Sequence, residues 1–138
     1  MTAIGQRVAE AGSLPELLDA AYDAFEGVLA VLGEHDDPDS PFFVPAVMAG
    51  AWAASGRDHL CWAPSLPPRR LHGEMKAEVP VAVSAPEAVD WVSEMGEVLA
   101  GCLGRSARSA ADPADRDACA GAAGCARQIR LLAGAGLP

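Results

Sequence analysis

Basic residues are scarce in this 138-residue chain: ten Lys and Arg stand against 19 Asp and Glu, a formal net charge of −9. No basic cluster exceeds the pair Arg69-Arg70. A field of that sign repels polyanions, which excludes nucleic acid and argues against an anionic membrane surface as partners. Aromatics are few as well: three Trp, three Phe and one Tyr. A core must then come from aliphatic and small side chains, and small ones let backbones approach closely. Of the four cysteines, none forms a C-x-x-C pair and none has a His at zinc-finger spacing, so no metal staple is expected. Cys119 and Cys125 lie six apart and point away from each other on one helix; free, buried thiols are the expectation.

Several chemistries are missing too. There is no P-loop, no dinucleotide glycine fingerprint, no Ser nucleophile elbow and no Glu-x-x-His for a carboxylate-bridged metal pair. No cofactor is therefore expected. The opening MTAIGQRVAEAGS lacks the basic and apolar regions of a signal peptide, which points to the cytoplasm. The Ala-, Gly-, Arg- and Asp-heavy usage resembles that of a GC-rich bacterial coding sequence, and a bacterial source is the expectation. The longest uncharged stretch, from Ser40 to Gly56, falls short of the roughly 20 residues that span a bilayer.

What the chain does hold is helix signals. Ser13-Leu14-Pro15-Glu16 is a capping box, and behind it Leu14, Leu18, Ala21, Phe25, Val28 and Leu32 repeat at four-three spacing. That predicts a helix over about 14–33, with Asp19, Asp23 and Glu26 turned to water. The acidic run 34–39 reads as a polar turn, since an EF-hand's alternating acids and central Gly are absent. Ser40-Pro41 opens a second helix to about residue 56, with Pro45 moving its start or kinking it. Being apolar all round, this helix is expected at the centre of the fold or against a partner. Residues 64–83 carry Pro64, Pro67, Pro68 and Pro80 and read as a long loop.

Ser84-Ala85-Pro86-Glu87 is a second capping box, predicting a helix over 85–108. It carries two apolar stripes: Val89, Val92, Gly96, Leu99 and Leu103 in one, Trp91, Met95, Val98 and Cys102 in the other. Asp112-Pro113 caps a last helix over 113–133, with the stripe Ala114, Ala118, Ala122, Cys125, Ile129 and Leu132. Residues 13–33 laid over 84–104 match at Ser, Pro, Glu, Asp, Leu and Gly, which recurrent capping accounts for more readily than duplication. Together these elements predict a single all-α domain, an antiparallel four-helix bundle built of two helical hairpins.

Function is less legible. Phe43, Met48, Trp52 and Trp62 concentrate the aromatic and soft apolar bulk on the uncharged helix and its extension, with Arg57 and His59 nearby as polar groups. The leading expectation is a binding or accessory protein that takes an apolar small molecule or a partner's helix there, and that forms a homodimer. The dimer is expected through the bare second helix or the extra stripe Met95–Val98. The alternatives are a small cofactor-free enzyme using His59 or His72 as acid–base, and a purely structural homo-oligomer.

Overall fold

In the computed structural model, residues 3–32, 39–60 and 85–135 are described, and among them every regular element is an α-helix. The five are α1 (Ala3–Ala9), α2 (Leu14–Leu32), α3 (Phe43–Leu60), α4 (Ala85–Ser109) and α5 (Pro113–Ala135). The acidic turn at 34–38 and the Pro-rich loop at 64–83 lie outside the described residues.

The caps act as their residue types require. At the start of α2 the Glu16 N–H donates to the Ser13 hydroxyl at 3.3 Å. The reciprocal bond differs from the predicted box: the Glu16 carboxylate accepts from the Gly12 N–H at 3.1 Å, one residue earlier than Ser13. Ser40 takes the Phe42 N–H on its hydroxyl at 3.2 Å, and α3 begins at Phe43 rather than Pro41. Pro45 sits in the first turn of α3, where a missing N–H has no helical acceptor to lose. Asp112 accepts from the Ala114 N–H at 2.8 Å and starts α5. Helix α3 runs four residues past Gly56, to Leu60. An isolated seven-residue helix such as α1 is unstable in water, so no local pattern announces it; burial of Val8, 1% exposed, holds it in place.

Helix α4 packs most extensively on α5; α3 lies against both α2 and α5, and α2 against α4. The short α1 rests on α2 and α4. Twelve of the buried hydrophobics are alanines, and larger bulk comes from Phe25, Phe42, Met95, Leu99, Leu103 and Ile129. Glycines set the closest approaches. A Cβ at Gly96 would stand 3.0 Å from the Arg130 backbone nitrogen and 3.1 Å from the Ala126 carbonyl oxygen. One at Gly56 would meet Leu18 Cδ1 at 2.8 Å and Ala118 Cβ at 2.9 Å.

Several expectations change here. Asp19 and Asp23 do not face water: they are 9% and 7% exposed, Glu26 is half-buried, and all three are engaged by partners. Three helices pack on α2, so its polar side is enclosed with its apolar side, and α2 is the helix buried nearly all round. Helix α3, uncharged up to Gly56, is not; one of its faces lies open. The second stripe of α4 is also internal, with Trp91, Met95 and Cys102 buried, because α4 meets α1 and α2 as well as α5. On α5 the buried side centres on Ala122 and Ala126, leaving Ala114 exposed and Cys125 and Leu132 half-buried. No described helix is long and apolar enough to cross a membrane.

Candidate functional site

Helix α3 carries apolar side chains on every side, and its neighbours cover only part of it. Phe42, Ala46, Ala49 and Ala53 are buried in the core. Opposite them, Val44 is 62% exposed, Val47 48%, Met48 47% and Trp52 37%. With exposed Ala51 and Ser55 these residues follow the i, i+3, i+4, i+7, i+8, i+11 spacing of a single helix face. Ser55 is the only polar side chain on it. Between Ser40 and Gly56 there is no charged residue, so this outer face presents an uninterrupted apolar stripe.

Trp52 anchors one edge. Its indole lies directly on Gly121 of α5, where a Cβ would collide with the ring. The Gly at 121 thus seats one part of the indole against α5 while the rest meets solvent. Along the other flank, Tyr22 of α2 lies 3.8 Å from where a Gly50 Cβ would stand.

Of the residues singled out from sequence, Met48 and Trp52 come together on this face, one turn apart. Phe43 is separate: it is half-buried and packs against the core. Arg57 and His59 belong to the last turn of α3, but their side chains lie outside the described residues, as does all of Trp62 and His72. Val44 and Val47 are the members of the face that sequence reasoning missed. Their spacing with Met48 and Trp52 was visible in the chain, but not which side of an all-apolar helix is left uncovered.

Cys102, Cys119 and Cys125 are free thiols, and Cys61 lies outside the described residues. Among the described residues no group of three or more His, Cys, Asp or Glu side chains is placed to hold a metal ion. Burial pushes the Cys119 thiol up from 9.0 to about 11, helped by the nearby Asp115 carboxylate. Asp115 is itself buried, and its Oδ1 has no hydrogen-bond partner among the described residues. A raised pKa means the folded protein keeps a proton that the unfolded chain releases. Cys119 therefore adds nothing to the pH dependence of stability below about pH 9. Between about 9 and 11 its contribution falls with rising pH by roughly 2–3 kcal/mol. Urea denaturation of wild type and Cys119→Ala across pH 8–11 checks this: wild type should lose about 2–3 kcal/mol more than the variant as pH rises.

Compared with family models, with curated proteins and with solved structures, the chain matches none.

Proposed function

We propose that this chain is a non-enzymatic helical binding protein whose working surface is the outer face of α3, and that a second copy of the chain occupies that face. Its scaffold, in this reading, is a four-helix bundle of two antiparallel hairpins, α2–α3 and α4–α5. The contacts α2 to α3, α3 to α5, α5 to α4 and α4 to α2 support such a closed ring. So does the pairing of Trp52 with Gly121 and of Gly56 with Ala118, which needs α3 and α5 to run in opposite directions.

The observation that carries the proposal is the exposed stripe Val44, Val47, Met48, Trp52. Together these side chains leave on the order of 400 Å² of apolar surface in water, within the range of the largest patch on a typical monomer, which is often functional. The stripe is a convex helix face, which suits a protein surface better than a small molecule seeking a concavity. It is also self-complementary. Set antiparallel to its copy about a two-fold axis between residues 49 and 50, Val44 meets Ser55, Met48 meets Ala51 and Val47 meets Trp52. Larger side chains thus oppose smaller ones in an isologous contact. The stripe bears no charge, so the net charge of −9 is kept off its centre.

Two such faces with their rims bury an area at the low end of specific interfaces, where weak association, with a dissociation constant of about micromolar or above, is the expectation to test. Sedimentation velocity should show wild type passing from monomer to dimer across that range. The double change Val47→Glu and Met48→Glu is expected to weaken association by at least about 100-fold, since each carboxylate is desolvated against an apolar partner, Trp52 or Ala51, with no cation to meet it. Both positions are exposed, so helicity should be unchanged. A compact wild-type monomer at every concentration, or a double variant that still dimerises, would sink this reading.

A further inference from the structure

At the other side of the fold, away from α3, a cleft of about 380 Å³ opens between α1, the turn into α2 and the C-terminal end of α4. Its floor includes Val8, Leu17 and Cys102, which are 1%, 5% and 9% exposed. Its rim is polar: Ser13 from the α2 cap, with Arg105 and Ser106 from α4. Arg105 is the only charged residue among those that line it. The Arg105 Nη2 donates to the Cys102 Sγ at 3.3 Å, a weak acceptor, and among the described residues the guanidinium has no carboxylate partner. The Ser13 hydroxyl accepts from the Glu16 N–H and so keeps its own proton to donate.

We propose that this cleft binds a small monocarboxylate with an apolar body, the carboxylate paired with Arg105 and the body lying on Val8, Leu17 and Cys102. A guanidinium presents N–H groups in a planar fork that matches a carboxylate, and charge-assisted bonds of this kind are about twice as strong as neutral ones. One cation suits one negative charge; a dianion such as a phosphate monoester would bring a second charge into an acidic protein with nothing to meet it. The volume holds about a dozen non-hydrogen atoms, counting roughly 30 Å³ for each water-sized unit. Another cavity, near Ser93, Arg127, Arg130 and Leu131, is larger at about 680 Å³. It lacks such a floor: both arginines and Leu131 are exposed.

The test is a titration of the full-length protein with octanoate, followed by amide chemical shifts, with 1-octanol as the uncharged control and octyl phosphate as the dianion. Saturable shifts at Val8, Leu17 and Ser106 are expected with octanoate, with binding at least tenfold weaker for octanol and octyl phosphate. Arg105→Gln should lose about tenfold in octanoate affinity and leave octanol unaffected; the side chain is exposed, so the fold is not at risk. Ser106→Phe, filling the cleft, should abolish both. The proposal is overturned by shifts confined to Arg127 and Arg130, by equal binding of octanoate and octanol that Arg105→Gln does not change, or by no shifts at millimolar ligand. It does not rest on the α3 reading: shifts at Val47 and Trp52 instead would count against the cleft and leave the dimer question to sedimentation.

Discussion

Gly96→Leu is expected to lower the unfolding free energy by about 3 kcal/mol, although leucine is the better helix former by most of 1 kcal/mol. Gly96 lies mid-way along α4 where that helix comes closest to α5. Its missing Cβ would sit at 3.0–3.1 Å from the Arg130 nitrogen, the Arg130 Cβ and the Ala126 carbonyl oxygen. None of these is the far end of a flexible side chain, so α4 and α5 must separate to admit the new group. They form the most extensive helix pair in the fold, and Ala126, fully buried beside Gly96, has no side chain that can rearrange. Gly134 is the internal control. Nothing stands within 4 Å of its would-be Cβ, so Gly134→Ala should be neutral or stabilise by up to about 1 kcal/mol. Denaturation of both variants in urea separates packing from propensity: if both changes stabilise, α4 and α5 are not in close contact at Gly96.

Much of the architecture was legible because it depends on neighbours in sequence. The caps at Ser13, Ser40 and Asp112, and the four-three stripe from Leu14 through Phe25 to Val28, are local chemistry, and the helix ends follow to within a few residues. What failed depends on how many helices surround a given one. Asp19 and Asp23 lie opposite a core stripe, which in a two-sided helix means water; α2 instead has three neighbours. The converse held for α3, whose apolar sequence resembles a central helix while Val44 and Val47 stand exposed. Periodicity gives the direction a side chain points, not whether anything is there. The cleft was less visible still, since Val8, Leu17, Cys102 and Arg105 come from three helices and one of them, α1, has no signal of its own. Arg105 was an ordinary helix-end cation until the structure put it over an apolar floor.

Phe25→Ala is expected to cost more than any other single truncation, about 3–5 kcal/mol. Phe25 is completely buried and heads the fully enclosed side chains by volume. It belongs to α2, the helix most enclosed by its neighbours, so the cavity left behind cannot open to solvent cheaply. Nor can it collapse easily. Around it the core is rich in alanine, with Ala20, Ala21, Ala24, Ala46, Ala49 and Ala53 on α2 and α3, and alanine has no rotamer with which to fill a hole. Domains of this size are stable by only about 5–15 kcal/mol, so the loss takes a large share of the total. The comparison is Val44→Ala, 62% exposed on α3, which should change the stability of the monomer by less than about 0.5 kcal/mol. Both need measuring at one protein concentration, below the dissociation constant of the proposed dimer, because self-association would add to apparent stability by mass action. Equal urea dependence with a lower midpoint for Phe25→Ala indicates a weakened but intact core. A cost near 1 kcal/mol would mean that α2 is not the enclosed helix, and the burial of Asp19 and Asp23 would fall with it.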